Sequence, residues 1–343
     1  MANNERRLIV QELVVAADGT YAIDFEALEA VFEAESPQML LLCSPHNPVG
    51  RLWTEADLTR LGELCLAHDV VVVSDEIWNN LALPLYTDFA ISDSAPRTFF
   101  PFAAVASGKF RDVCVTATSA SKAFGMAALQ DSAIIIENPV LRDMFVAELT
   151  ARGQFGGNFA CACATEAALS DEGREWLDSS LVHIAQNVLL LRRALLFGLD
   201  RIDSALPTDV ANFPYGIRPN RPEASYLVWL DCSELVARLR LQDDDDAATT
   251  TQRPAPATSA SDKVTSKFNA VMRQRKPFQP PPARDDCRSR LLDFFTRQTG
   301  VIVDDGIWFG ESGKNHLRIN VACARHVLLE ALKRIDAALK VTS

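Results

Sequence analysis

At 343 residues, 48% of them apolar and 23% charged, the chain can bury a sizeable core and has the length of two domains. Thirty-four basic against 45 acidic side chains leave a net charge of −11, which disfavours nucleic acid and anionic membrane as partners. No run of purely apolar residues approaches the roughly 20 needed to span a bilayer, and MANNERRLIV lacks the apolar centre of a secretory signal, so the expected compartment is the cytoplasm.

In chain order, MLLLC (39 to 43) reads as a buried strand. WTEADLTRLGELCLAHD follows as a helix, with Leu58, Leu61, Leu64 and Cys65 on one face and Thr54 and Asp57 at capping-box spacing. VVVVS (70 to 74) is the next strand; four consecutive valines suit a parallel strand covered on both faces. Strand, helix, strand makes a βαβ unit, which VCVTAT (113 to 118) and AIIIEN (133 to 138) extend into an open, mostly parallel sheet. WLDSSLVHIAQNVLLLRRALLFGL places apolar residues at 177, 181, 184, 188, 191 and 195, the spacing of a long amphipathic helix. After it come a strand (SYLVWLDC), a helix ended by Gly300 (LLDFFTRQTG), two more strands (VIVDDG and HLRINVAC) and a closing amphipathic helix, which together predict a smaller α+β domain. Between them, residues 242 to 286 carry an acidic run, a Thr/Ser/Ala/Pro bias and terminal prolines, and are expected to be a disordered insertion. KPFQPPPAR within it could form a polyproline II ligand for an SH3-like partner, but a plain solvated insertion is the favoured reading. The expected domains are 1 to 205, an α/β domain, and 206 to 343, the small domain. The eight cysteines lack metal-ligand spacing, and the closest pair, Cys161 and Cys163, is one residue too tight for a zinc knuckle; no metal is expected.

Ligands of open α/β sheets bind beyond the carboxyl ends of the strands. There the first strand runs into Asn47 (SPHNPVG), the second into Asp75 (SDEIW) and the third into Lys122 (SASK). Each alone has an ordinary explanation, as a turn former, a helix cap or a solvated amine. The three together suit a pyridine cofactor. An amine without a nearby acid can condense with an aldehyde, a carboxylate keeps a pyridine nitrogen protonated and electron-withdrawing, and an amide can donate to a ring oxygen. Ser119 and Ser121, with backbone N–H groups of a helical segment expected to follow, are candidates for a phosphate. Arg318, alone between Leu317 and Ile319, suits a bidentate carboxylate contact; a structural ion pair is the alternative.

SPHNPVG, VVVVSDEIW, SASKAFG and HLRINVAC, in that order, resemble the signature segments of the fold-type I pyridoxal-phosphate enzymes, the class I and II aminotransferase family. The wording around SPHNPVGRLWT and CLAHDVVVVSDEI is closest to its cystathionine β-lyase-like branch of carbon–sulfur lyases. The resemblance covers residues 3 to 241 and 286 to 341. It implies an aspartate aminotransferase-like large domain, with pyridoxal 5′-phosphate as cofactor and a small amino acid as substrate. By that resemblance Asn47 contacts the ring oxygen, Asp75 pairs with the pyridine nitrogen, Lys122 carries the cofactor, and Arg318 grips the substrate carboxylate. It further implies a homodimer when complete.

Three departures stand out. Trp78 occupies a position where the family usually has a phenol or histidine beside the ring oxygen, and an indole can only donate or pack. Gln130 and Asp131 stand where a phosphate-binding arginine is common, and Asp131 is expected to point elsewhere. Relatives also carry an additional N-terminal portion that supplies phosphate contacts and a stacking ring. The sequence therefore predicts an exposed apolar surface and weak cofactor retention. The expected activity is β-elimination from cystathionine or a related cysteine conjugate; the alternatives are an aminotransferase and an inactive homologue that only binds partners.

Overall fold

The computed structural model describes residues 7–16, 19–87, 90–92, 97–154, 156–202, 214–241 and 289–341. The 205/206 boundary, the 242 to 286 insertion and its proline-rich motif lie outside them.

Consecutive β-branched and aliphatic residues form strands β3 (Met39–Cys43), β4 (Val71–Asp75) and β5 (Cys114–Thr118), all parallel, and β6 (Ala133–Ile135). They lie in the order β3-β4-β5-β6. The sheet is mostly parallel, as expected; its edge strand β6 pairs antiparallel with β5, because the chain returns along the edge without a crossover helix. Ahead of this sheet, β1 (Leu13–Val15) and β2 (Tyr21–Ile23) make a hairpin that leads into the helix Phe25–Glu35, capped by Asp24. The β3–β4 crossover is the helix Glu55–Ala67. The predicted capping box is formed there, Thr54 Oγ1 accepting from Asp57 N–H at 3.1 Å and Asp57 accepting from Thr54 N–H at 3.1 Å.

One sheet face is sealed. Leu42, Val72 and Cys114 pack with Leu28, Phe32, Leu58, Leu61, Phe102 and Phe110 in a single cluster. The alternate residues of β3 face the other way, and there Met39 and Leu41 remain 55% and 50% exposed. The expectation of cover on both faces is thus corrected for the described residues, while the expectation of an exposed apolar surface is met.

The second sheet is antiparallel throughout, in the order β7 (Arg218–Pro219), β8 (Leu227–Asp231), β10 (His316–Asn320), β9 (Asp304–Asp305). VIVDDG yields only the two-residue β9. The helix Arg290–Thr299 ends, as expected, at Gly300 with φ +66°. The helix Asp171–Phe197 is long and apolar enough by composition to cross a membrane, contrary to the sequence reading, yet half of its most apolar window is buried inside the fold. Its buried Ile184, Val188, Leu191 and Leu195 join Trp78, Leu81, Leu227, Leu230, Leu317, Ile319 and the closing helix Arg325–Val341 in one core. That core fastens the second sheet to the chain segment just after β4.

A second fastening is polar. Gly50 has φ +66°, and its backbone O accepts from Glu223 N–H and Ala224 N–H at 2.8 and 2.9 Å. Glu223 accepts in turn from Leu52 N–H at 2.9 Å and pairs with Arg51 and Arg97. A Cβ at Gly50 would meet Ala224 O and Pro222 Cβ, each at 2.6 Å. Gly50→Ala is therefore expected to lower the unfolding free energy by at least the ~1–3 kcal/mol of a left-handed non-glycine residue, seen as a reduced urea midpoint; an unchanged midpoint would contradict this packing.

Candidate active site at the strand ends

SDEIW places two acids side by side, and strand alternation sends them in opposite directions. Glu76 turns inward, 2% exposed, and its Oε1 accepts from Ser74 Oγ at 2.8 Å and Phe102 N–H at 2.9 Å. Burial raises its pKa, and these two hydrogen bonds oppose the rise. Asp75 turns outward and lines a cavity of about 430 Å³ with Leu41, Cys43, Val73, Ile77 and Ala117. Its Oδ1 accepts from Ile77 N–H at 3.2 Å, which fixes the carboxylate at the strand end.

The turn after β3 contains two cis prolyl bonds, Ser44–Pro45 and Asn47–Pro48. Asn47 is held by its N–H on Cys43 Sγ at 3.4 Å, and its Oδ1 accepts from Arg318 Nη1 at 2.6 Å. Burial pushes the Cys43 thiol up to about 11, opposed by the Asn47 N–H and reinforced by Asp75, so the sulfur stays protonated at neutral pH. Beside Asn47, His46 is half-buried, edge-on to Trp53 at 5.8 Å, and desolvation lowers its pKa to about 4.

Lys122 lies beyond β5, in a turn rather than at a helix start. Residues 120 to 125 are turns closed by Phe124 N–H to Ala120 O (3.0 Å) and Met126 N–H to Ser121 O (2.8 Å). This corrects the expected helical phosphate cradle; the small residues and Gly125 at φ +67° favour turns there. The amine sits 5.7 Å from the centre of the Trp78 ring, a cation–π contact, and Trp78 is 6% exposed with Tyr226 edge-on at 5.0 Å. Trp78 is thus a floor beneath the lysine. Ser119 Oγ donates to Asp131 O at 2.7 Å and accepts from Ser121 N–H at 3.0 Å, so it braces the loop. Ser121 itself is buried. The Asp131 carboxylate faces Gly157 and Cys161.

Arg318 is on β10, its neighbours Leu317 and Ile319 buried on the opposite face. Besides Asn47 it meets Asp304, donating from Nε at 3.0 Å and also from Nη2, and its guanidinium lies over the Phe309 ring at 4.4 Å. The structural ion pair, the alternative reading of Arg318, is therefore present. Sequence reasoning passed over Ile77, Asp304 and Phe309. For Ile77 the signal was available, since alternation from Asp75 puts residue 77 on the same side.

The ring end of pyridoxal phosphate fits this donor set. A flat aromatic ring with one cationic nitrogen matches an apolar cavity wall that carries a single carboxylate, Asp75, with the Lys122 amine and the Asn47 amide on the adjoining strand ends. Among the described residues no group of three or more metal-ligating side chains occurs.

His46 generates a pH prediction. Its folded pKa of about 4 lies below the ordinary 6.5, so the unfolded chain takes up a proton first as pH falls. The stability this neutral ring contributes is complete above about 6.5 and is lost as pH drops towards 4, by on the order of 3 kcal/mol. His46→Phe should flatten the urea stability profile across that window; an equally steep profile would show that other groups carry it.

Comparison with known proteins places the chain in a family. The family model for aminotransferase class I and II matches residues 6–335. Cystathionine beta-lyase PatB of Bacillus subtilis is 32% identical over 99% of this chain and 68% of its own length, and protein MalY of Escherichia coli is 26% identical over 98% and 66%. Among solved structures, cystalysin of Treponema denticola, which contains a pyridoxal 5′-phosphate cofactor, superposes with a TM-score of 0.71 at 25% identity, covering 100% of this chain and 67% of that one. The PLP-bound C-S lyase of Staphylococcus hominis gives 0.67 at 26%, covering 95% and 64%. The chain thus spans about two thirds of the length of the relatives it matches. With the four motif segments arranged around one sheet edge, the chain belongs to the aminotransferase class I and II family.

Proposed function

We propose that the chain acts as a pyridoxal-phosphate-dependent carbon–sulfur β-lyase on cystathionine or a related cysteine conjugate. The observation that carries this reading is the meeting of Arg318 with Asn47 across 271 positions of sequence, which sets a carboxylate-binding guanidinium beside the strand ends that bear Asp75 and Lys122. The likeness to PatB and to the C-S lyase fold points to the lyase branch.

When bound, pyridoxal phosphate supplies a conjugated ring that accepts the electron pair left on the substrate Cα. Asp75 holds the positive charge of the pyridine nitrogen, and Asn47 offers its amide to the ring oxygen. Arg318 orients the substrate by its carboxylate, and Lys122 Nζ takes the proton from Cα. Trp78 supports that amine from below, and Ile77 and Val73 keep water from the ring face. As the Cβ–S bond breaks, the Cα electron pair forms the Cα–Cβ double bond and sulfur leaves with the bond's electrons, taking up a proton to become a thiol; hydrolysis of the released enamine gives pyruvate and ammonia. A homodimer in the cytoplasm belongs to the same proposal. Among the described residues all seven cysteines are free, as suits a reducing compartment.

Given cystathionine and pyridoxal phosphate, the protein is expected to release pyruvate and ammonia with no added oxo acid. Product that appears only when an oxo acid is supplied would establish an aminotransferase instead. Arg318→Ala should reduce kcat/KM in either case, by on the order of 2–5 kcal/mol of transition-state stabilisation; an undiminished rate would remove Arg318 from the substrate site.

A further inference from the structure

Arg318 reaches the proposed site already matched in charge. β9 pairs with β10 so that Asp304 stands directly opposite Arg318, with both side chains on one face of the sheet. A single oxygen, Asp304 Oδ2, accepts from both Nε (3.0 Å) and Nη2, while Nη1 donates to Asn47 Oδ1 at 2.6 Å. The neighbouring Asp305 points the other way, buried at 2% and accepting from Ser289 N–H at 2.8 Å, so the two acids of this short strand have separate tasks. The Arg318 side chain is 16% exposed, with its guanidinium over Phe309, whereas the Asp304 side chain keeps 33% exposure.

A guanidinium has five N–H donors. Three are engaged here, which leaves one on each terminal nitrogen. A ligand carboxylate can still take that pair, but it meets a grip of zero net charge and an Asp304 oxygen close by. We infer that Asp304 is a specificity-determining residue of the carboxylate grip: it competes with the ligand carboxylate for Arg318, weakens the hold on amino acids and limits the grip to ligands whose head carries a single negative charge. This rests on Arg318 being the carboxylate grip, as proposed above. The aspartate also holds the guanidinium flat, so a purely positioning role would have the opposite consequence, a loss of affinity on its removal.

L-Alanine is a suitable probe, because it carries the α-carboxylate and has no β-leaving group. Its binding to the full chain is measured by titration calorimetry for the parent protein, Asp304→Asn, Asp304→Ser, Asp304→Glu, Arg318→Ala and the Asp304→Asn/Arg318→Ala double variant. Thermal melts confirm that each is folded. Removing the charge is expected to tighten L-alanine binding about tenfold, which is about 1.4 kcal/mol, in both Asp304→Asn and Asp304→Ser. Asp304→Glu should stay near the parent value, alaninamide should show no gain, and the double variant should lose the gain. A structural role cannot produce a rise in affinity confined to the carboxylate-bearing ligand. If Arg318→Ala loses binding but neither charge-removing variant gains it, the proposal for Asp304 is overturned and the grip stands. If Arg318→Ala binds L-alanine as the parent does, the grip itself falls, and the Asp304 proposal with it.

Discussion

The parallel register of β3, β4 and β5 is the constraint from which the candidate site follows. Cys43, Asp75 and Ala117 lie at one level across three strands that run in the same direction. Whatever the chain places just beyond them must therefore emerge at one edge. Asn47 and Lys122 come four and five residues past that level, and Asp75 is on it. An antiparallel sheet of the same composition would have distributed these groups over two opposite edges. The backbone ladder, rather than any contact between the three side chains, gathers them.

Arg318 has no such ladder to bring it there. Its strand belongs to the second sheet, and it is carried to the first by the apolar core around Trp78, Leu191, Leu227 and Ile319 and by the Gly50–Glu223 junction. Trp78 and Gly50 follow β4 and β3 within a few residues, so the groups that hold the second sheet in place are immediate neighbours of Asp75 and Asn47. Core packing and site geometry are therefore one structure. The exposed Met39 and Leu41 show the limit of that economy: within the described residues the core seals one face of β3, β4 and β5 and leaves these side chains of the other face open.

Local periodicity made much of this legible in the sequence. The runs around Leu42, Val72 and Val115 announce buried strands, the Thr54–Asp57 spacing announces a helix start, and the four-and-three spacing from Leu177 to Leu195 announces a long packed helix; each forms where its pattern lies. Motif order then located Asn47, Asp75, Lys122 and Arg318. What stayed illegible was non-local. Which strand of the mostly parallel sheet runs antiparallel, β6, depends on how the chain returns from Lys122, which no residue of AIIIEN encodes. The loop 120 to 125 turns at its small residues and at Gly125, with φ +67°, and is braced by Ser119, bonded to Asp131 twelve residues on. Asp304 was hidden in an apolar-looking run, since its meaning comes from a strand pairing with Arg318 and not from its own neighbours.

The central claim is that the strand-end residues form one pyridoxal-phosphate site with Lys122 as its covalent anchor. The most direct test incubates the protein with pyridoxal phosphate, reduces it with borohydride and locates the stable pyridoxyl label by peptide mass spectrometry. The account predicts a single dominant label on Lys122, lost when Asp75→Asn removes the partner of the ring nitrogen. Dominant labelling of a surface amine such as Lys109 or Lys314, or a label on Lys122 indifferent to Asp75, would contradict it.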